Sequence, residues 1–135
     1  MKEKKFIIRK TEKEWETQLT QDEFHVLRNK GTERPFSGKY NVHFESGNYC
    51  CKGCGEELFN SENKFESGCG WPSFDDEIIG DKVQKEEDNT HGMTRTEILC
   101  KKCGSHLGHI FNDGPTSTGL RYCVNSLSLD FKKTP

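Results

Sequence analysis

Two copies of a C-x-x-C-G motif constrain the fold of this chain more than any other feature. The first copy contains Cys51 and Cys54, and the second contains Cys100 and Cys103. Two residues between the thiols allow one tight turn to direct both sulfurs at a single ion, and the glycine that follows permits the backbone conformation of that turn. Four thiolates form a closed tetrahedral shell with no open position for catalysis. The motifs therefore predict one structural zinc (Zn²⁺) site, whose halves are brought together by strands of the main sheet.

Other interpretations of these cysteines stay open at the level of sequence. Iron suits the same motif in rubredoxin-like sites, and Cys50 competes with its neighbour Cys51 as a ligand. The similarity of the two motifs favours Cys51. In a further interpretation, the four thiols are buried and inert. A redox-active C-x-x-C of the thioredoxin kind would begin a helix in a βαβ unit, and the sequence pattern contains no such unit.

The composition indicates that the fold needs a staple of this kind. Of the 135 residues, 30% are hydrophobic and 31% are charged. The single domain predicted for residues 1–135 is therefore short of apolar core. In a structural metal site the binding free energy is also folding free energy. We therefore expect the metal to stabilise the whole domain.

Charge and apolar runs exclude several classes of protein. The net charge is -2 and the pI is about 6.2, without a basic block, so we expect no nucleic-acid partner. No apolar run approaches the roughly 20 residues of a membrane span, and the apolar residues 6–8 are too few for a signal peptide. We expect a cytoplasmic monomer without a membrane partner. In that compartment the seven cysteines bind metal or react rather than form a disulfide framework.

The first part of the chain is predicted to be a helical arm at about residues 7–31. Thr11 and Thr20 each begin a T-x-x-E capping box, with apolar residues at helical spacing behind it. Gly31 is the candidate C-cap of the second helix. The arm is therefore expected to contain two short helices.

The rest of the chain, at about residues 36–132, is predicted to be an antiparallel β domain. Gly, Asn, Asp and Ser recur between short runs rich in Phe, Ile, Val and Tyr. We predict hairpins within residues 40–51, 81–100 and 109–131. The fold class is therefore mainly β with short N-terminal helices.

A lone cysteine, Cys123, lies in the segment RYCVNSLSLDF, which alternates like one strand over residues 121–131. This alternation puts Arg121, Cys123 and Asn125 on one face. An arginine beside a thiol favours the thiolate, which is the nucleophilic form. In the alternative interpretation, the segment is a half-buried strand with a chance cysteine on its solvated face.

Another cysteine, Cys69, is flanked by glycines in the segment SGCGWPSF, which also contains Trp71. The glycines predict a mobile or tightly turned loop. The Trp71 indole is then exposed near the loop or packed below it. In the alternative interpretation, Trp71 is a core anchor and Cys69 is only a small residue above it.

The segment CGSHLGHIFNDG follows the second cysteine motif directly and contains two histidines, His106 and His109. In an extended segment His109, Phe111 and Asp113 share one face. A short loop joins this segment to the Cys123 strand, so the two are expected to pair, with His109 opposite the face of Cys123. Histidine can donate a proton near neutral pH. Buried structural histidines and zinc ligands are the alternatives, but a Cys₄ set leaves no place for a histidine ligand.

Three long motifs, SGCGWPSF, CGSHLGHIFNDGP and RYCVNSLSLDF, together with the two C-x-x-C-G motifs, resemble the B-type methionine-R-sulfoxide reductases. The resemblance covers residues 10–132. It implies a fold of two antiparallel sheets with N-terminal helices packed beside them. It also implies a zinc site at the four motif cysteines and gives no role to Cys50.

The resemblance also implies roles for residues that match the family's motifs. Cys123 would be the nucleophile, and Cys69 would resolve the oxidised intermediate. His109 would supply the proton, while Asn125 and Asp113 would orient its ring or hold its charge. The remaining pocket residues would bind substrate, and these are Trp71, His106, Phe111 and Arg121.

The implied reaction reduces methionine-R-sulfoxide in oxidised proteins, and also as the free amino acid, to methionine. Attack by Cys123 would leave a sulfenic acid, and Cys69 would swing on its loop to form a disulfide with it. Thioredoxin would then restore both thiols by exchange. A zinc-ribbon-like protein-binding module without catalysis is the alternative function, and such a module would need neither of these two cysteines.

Overall fold

The computed structural model describes residues 6–79 and 81–134, without the side chain at position 91. Two helices come first, namely α1 (Glu12–Gln18) and α2 (Gln21–Asn29). Nine strands follow, namely β1 (Gly47–Cys51), β2 (Glu57–Asn60), β3 (Lys64–Phe65), β4 (Ser73–Phe74), β5 (Val83–Asp88), β6 (Arg95–Cys100), β7 (His106–Phe111), β8 (Arg121–Val124) and β9 (Leu129–Lys133). Single 3₁₀ turns lie at Ser61–Asn63, Thr90–Gly92 and Ser126–Ser128. Neither helix in the described ranges has the length and apolar character needed to cross a bilayer.

Both helices begin where the sequence predicts. The Thr11 and Thr20 hydroxyls accept from the backbone N–H groups three residues later, and the reciprocal glutamate bonds are also present. The end of α2 differs from the expectation, because Lys30 rather than Gly31 takes the left-handed conformation (φ 57°). Gly31 is needed for a different reason, since a Cβ there would lie 2.2 Å from the His25 ring.

The strands form two antiparallel sheets, as predicted for the fold class. The smaller sheet has the order β2-β1-β9, and the larger has the order β3-β4-β8-β7-β6-β5. The helices pack on the same core as both sheets, because Trp15 and Leu27 belong to one cluster with Phe59, Phe74 and Leu107.

The hairpin predicted for residues 40–51 is wrong. Residues 40–46 form turns and bends, and β1 begins only at Gly47 and pairs with β2 and β9. Tyr40 and His43 place their rings against Tyr49, at centroid distances of 5.6 and 5.7 Å. Ring packing against the sheet therefore takes the place of strand pairing in this segment.

The single strand predicted for residues 121–131 is also wrong. It divides into β8 in the larger sheet and β9 in the smaller sheet, joined by Asn125 and the 3₁₀ turn Ser126–Ser128. The chain thus crosses from one sheet to the other immediately after Cys123. The hairpin of β5 and β6 and the pairing of β7 with β8 are confirmed.

The expectation that strands of one main sheet bring the two cysteine motifs together is wrong, because the motifs belong to different sheets. Cys51 is the last residue of β1 in the smaller sheet, and Cys100 is the last residue of β6 in the larger sheet. Each motif is a turn at the end of its strand. A metal bound by both motifs would therefore link the two sheets.

Candidate active site

An open pocket of about 250 Å³ lies against the middle of the larger sheet, where β7 and β8 pair. Of the residues predicted for catalysis and substrate binding, all except His106 and Asp113 line it. Its walls are completed by residues that were not selected from the sequence, namely Thr32, Arg95, Gly108 and Val124. A larger cavity of about 570 Å³ lies on the far side of Thr32, but no cysteine lines it.

Strand pairing fixes the surroundings of Cys123 on both sides. In the pairing of β7 with β8, His109 is directly opposite Cys123. In the pairing of β4 with β8, Ser73 is opposite Cys123 on the other side. The segment that leads into β4 carries Cys69, whose Sγ lies 3.8 Å from the Cys123 Sγ. An imidazole and a second thiol therefore flank the Cys123 sulfur.

The two sulfurs are close enough to react with little movement. A disulfide has an S–S distance of about 2.05 Å, so the sulfurs must approach by less than ~2 Å. The swing of the Cys69 loop expected from its glycines is therefore unnecessary in this structure. The Ser67 and Ser73 hydroxyls lie 2.9 and 3.5 Å from the Cys69 Sγ and hold it near its partner.

The two thiols share a proton unequally. The hydrogen bond from the Cys123 thiol, together with those from the Ser67 and Ser73 hydroxyls, lowers the pKa of Cys69 to about 4 against the opposing effect of burial. The hydrogen bond to Cys69, followed by burial, raises the pKa of Cys123 above its ordinary value. In the reduced resting state the thiolate is therefore on Cys69 and the proton is on Cys123.

This distribution corrects the expectation that Arg121 makes Cys123 a thiolate. The guanidinium does lower the pKa of Cys123, but its effect is smaller than those of Cys69 and of burial. Asp113 accepts from Arg121 at 2.9 and 3.1 Å, and the guanidinium lies 4.4 Å from the centre of the Phe111 ring. Asp113 is thus the partner of Arg121, at the exposed edge of the site, and does not contact the imidazole.

His109 is oriented by a residue that the sequence analysis missed. The His109 Nε2 lies 2.7 Å from the Asp88 Oδ2, and the Arg95 Nη2 lies 3.4 Å from the same oxygen. Burial lowers the pKa of His109, and the hydrogen bond to Asp88 opposes this shift. Asp88 lies in an acid-rich strand, and only the order β5-β6-β7 brings it to the histidine.

His106 lies behind the pocket rather than in its wall. It is 3% exposed, and its Nδ1 lies 2.7 Å from the carboxylate of Glu97, which is equally buried and which Lys30 also contacts at 3.3 Å. The His106 ring meets the His109 ring edge-on at a centroid distance of 5.8 Å. His106 therefore supports the pocket through His109 and cannot touch a ligand in the pocket without rearrangement.

Asn125 contacts the backbone and not the imidazole that it was expected to orient. Its Oδ1 accepts from the Glu33 N–H and its Nδ2 donates to the Leu107 carbonyl, both at 3.0 Å. The Trp71 Nε1–H in turn donates to the Glu33 carbonyl at 3.0 Å. Glu33, a second residue missed in the sequence, therefore ties the indole of the pocket to the end of the Cys123 strand.

The sulfurs of the four motif cysteines lie within 4.8 Å of one another. The Cys51 and Cys103 sulfurs are 3.6 Å apart, as are those of Cys54 and Cys100. Zinc–thiolate bonds of about 2.3 Å in a tetrahedron separate the sulfurs by about 3.8 Å, so the set fits such an ion. Cys50 is buried outside this group.

Comparison with known proteins agrees with this architecture. Residues 19–133 match the family described as the SelR domain. A protein of Methanosarcina mazei named peptide methionine sulfoxide reductase MsrB is 57% identical over 126 residues, which cover 93% of this chain and 90% of that protein. Proteins of the same name from Hahella chejuensis and Chromohalobacter salexigens are 56% and 54% identical, and the matches cover 89% and 94% of their lengths.

The fold, the paired thiols beside a histidine and these matches together define an oxidoreductase. The chain belongs to the SelR-domain family, the B-type peptide methionine sulfoxide reductases.

The shared proton of the two pocket thiols predicts that Cys69 reacts as a thiolate at a lower pH than an ordinary cysteine. Iodoacetamide alkylation at Cys69, followed by peptide mass spectrometry, should show a thiolate above about pH 4 that is lost as the pH falls through that value. In Cys123→Ala the donating thiol is removed, and we expect the titration to move toward the ordinary cysteine pKa of about 8.5. Cys50→Ala is the matched control and should leave the profile unchanged. A parent profile that rises only near pH 8–9 would contradict the shared proton.

Proposed function

We propose that this protein reduces methionine-R-sulfoxide residues of oxidised proteins to methionine through the thiols of Cys123 and Cys69. The observation that carries the proposal is the position of Cys123, with its sulfur 3.8 Å from that of Cys69 and its backbone paired with His109. The names of the relatives indicate the sulfoxide substrate, and the preference for the R epimer follows from the resemblance to their family.

The first step needs a sulfur nucleophile and a proton at the sulfoxide oxygen, because sulfoxide sulfur is a poor electrophile until that oxygen is protonated. Cys123 is the proposed nucleophile, and His109, paired with it across the sheet, is the proposed proton donor. The Cys123 sulfur attacks the sulfoxide sulfur, and the oxygen ends on Cys123 as a sulfenic acid while methionine leaves. Atoms balance, since a thiol and a sulfoxide give a sulfenic acid and a thioether.

The walls of the pocket suit the rest of the substrate side chain. Trp71 offers an apolar surface for the S-methyl group, and sulfur–aromatic contacts contribute about 0.3–1.5 kcal/mol. Its indole is held by the Glu33 carbonyl, so the surface is fixed before substrate arrives. Phe111 and Arg121 are proposed to line the path of the side chain. Free methionine sulfoxide is proposed as a second substrate.

The second step regenerates the nucleophile. The Cys69 thiolate attacks the sulfenic sulfur of Cys123, the S–O bond breaks as the S–S bond forms, and the departing hydroxide takes a proton from solvent to give water. The hydrogen bonds from the Ser67 and Ser73 hydroxyls, which also lower the pKa of Cys69, still favour its thiolate at this stage. Thioredoxin, or another dithiol, would then reduce the disulfide by exchange. Reduced thiols of this kind require a reducing compartment, so we propose that the protein lies in the cytoplasm. We also propose that it is a monomer.

Zinc is the proposed ion at the four motif cysteines. It would be held by Cys51, Cys54, Cys100 and Cys103 and would stabilise the junction of the two sheets. The Ser105 hydroxyl lies 3.1 Å from the Cys103 Sγ, and the Arg28 guanidinium donates to the Cys103 carbonyl. These contacts orient one ligand and join it to α2.

Turnover of the two sulfoxide epimers of an N-acetylated methionine amide tests the proposed function. We expect thioredoxin-linked reduction of the R epimer alone, and its loss in Cys123→Ser because the attacking sulfur is absent. Cys69→Ser should release about one methionine per chain and then stall, since the sulfenic acid has no partner. Cys50→Ala should behave as the parent. Reduction of R sulfoxide by Cys123→Ser near the parent rate, or sustained thioredoxin-linked turnover by Cys69→Ser, would contradict these roles.

Metal content and thermal unfolding test the proposed zinc site without reference to activity. The parent and Cys50→Ala should each hold about one zinc ion per chain. Cys103→Ala should lose the ion and melt at a much lower temperature, because metal binding and folding are coupled. Chelation of the parent should have the same effect. An unchanged melting curve after complete removal of metal would show that the site does not stabilise the junction of the sheets.

A further inference from the structure

Asp88 reaches the proposed active site through His109 and Arg95, which both line the pocket. It is the last residue of β5 and does not line the pocket. Its Oδ2 lies 2.7 Å from the His109 Nε2 and 3.4 Å from the Arg95 Nη2. Its Oδ1 accepts from the Thr90 N–H at 3.0 Å and from the Thr90 hydroxyl at 2.7 Å. Both carboxylate oxygens therefore have fixed partners, and the carboxylate holds one direction toward the imidazole.

We propose that Asp88 is a positioning residue that binds one ring nitrogen of His109 and stabilises the imidazolium, so that His109 carries the proton of the Cys123 thiol to the sulfoxide oxygen. The inference rests on the proposed function and adds to it the origin and the path of the proton.

The tautomer of His109 follows from the chemistry of its partner. The hydrogen bond to His109, with those from Thr90, lowers the pKa of Asp88, so this carboxylate is ionised and can only accept. The single N–H of a neutral imidazole is therefore on Nε2, and Nδ1 keeps its lone pair. A proton taken at Nδ1 gives an imidazolium whose second N–H stays bound to Asp88. A carboxylate also orients the base of serine proteases, although there it accepts from the Nδ1–H of the imidazole and here from the Nε2–H.

The path of the proton follows from the state of the two thiols. The Cys123 sulfur lies 3.8 Å from the Cys69 sulfur, and the hydrogen bond between them, with burial, raises the pKa of Cys123, so the attacking group is a thiol that must release its proton. In the proposed step the S–H bond breaks and an Nδ1–H bond forms, and then the Nδ1–H bond breaks as an O–H bond forms on the sulfoxide oxygen. No proton from solvent is needed, and the hydrogen of the thiol ends in the sulfenic acid.

Charges around His109 make Asp88 decisive for its protonation. The charged and titratable groups around the His109 ring come from β5, β6, β7 and β8 and from the Cys69 loop. They are Asp88, Arg95, Glu97, His106, Arg121, Cys123 and Cys69. Burial, Arg95 and His106 all lower the pKa of His109, and Asp88 raises it. Glu97 is already bound to His106 and Lys30. Among the described residues, Asp88 is the anion in contact with the ring.

Asp88→Asn tests the proposal, because it keeps the shape of the side chain and removes the charge. We expect the NMR titration of the His109 ring to move to lower pH, since the imidazolium loses its counter-ion. The single-turnover rate on R sulfoxide at neutral pH should fall about 10- to 10²-fold, which is less than the roughly 10²- to 10⁴-fold of a complete loss of general acid catalysis because His109 itself remains. In the pH dependence of the single-turnover rate, the apparent pKa that reports His109 should also move to lower pH, as in the NMR titration.

Two further variants separate this role from a structural one. Glu87→Gln removes one charge from the neighbouring residue of β5, on the opposite face, and should leave both measurements unchanged. Asp88→Glu keeps the negative charge. It should therefore retain part of the rate that Asp88→Asn loses, and its His109 ring should titrate closer to the parent pH. A slow Asp88→Asn variant with the parent His109 titration, or a parent rate in Asp88→Asn, would overturn the proposal. Failure of the parent to reduce sulfoxide would refute the proposed function, while the NMR titration would still report whether Asp88 stabilises the imidazolium.

Discussion

The position of β8 between β4 and β7 is the constraint on which the rest of the site depends. Strand pairing fixes which residues lie opposite one another on neighbouring strands, so the neighbours of Cys123 are set by backbone hydrogen bonds and not by flexible side chains. One neighbour is His109 and the other is Ser73, which follows the Cys69 loop. The proposed nucleophile thus has its proposed proton carrier on one side and its second thiol on the other.

Support for this arrangement comes from contacts outside the pocket. Gly108 allows β7 and β8 to approach, because a Cβ there would lie 2.0 Å from the Cys123 carbonyl oxygen. Beyond Cys123, Asn125 and Glu33 fasten the end of β8 to the loop after α2, and Glu33 also fixes Trp71. The chain then crosses to the smaller sheet, where β9 pairs with β1 and Leu129 lies opposite Cys51 of the first cysteine motif.

Local features of the sequence were sufficient for much of the fold. The capping boxes predicted both helix starts, and the spacing within the cysteine motifs predicted the cluster of Cys51, Cys54, Cys100 and Cys103. Predictions failed where a contact between distant segments decides the structure. Alternation could not show that the strand breaks at Asn125, since the break depends on the second sheet.

The same limit applied to the site. Cys69, Trp71, His109 and Cys123 were selected from motifs, but Asp88 and Glu33 have no local signal, because each contacts the site from a segment distant in sequence. The influence of Arg121 on Cys123 was overestimated for the same reason. Neighbours along a strand are visible in the sequence, whereas the sulfur of Cys69, which has the larger effect, comes from another loop.

The most direct test of the account is a covalent map of the protein after one cycle without reductant. Reduced protein would be mixed with excess methionine-R-sulfoxide in a peptide, alkylated, digested and analysed by mass spectrometry. The account predicts loss of two free thiols per chain and one new disulfide-linked peptide pair that joins Cys69 to Cys123, with the four motif cysteines unchanged. Methionine formed while both thiols remain free, or a disulfide that excludes Cys123, would contradict the central claim.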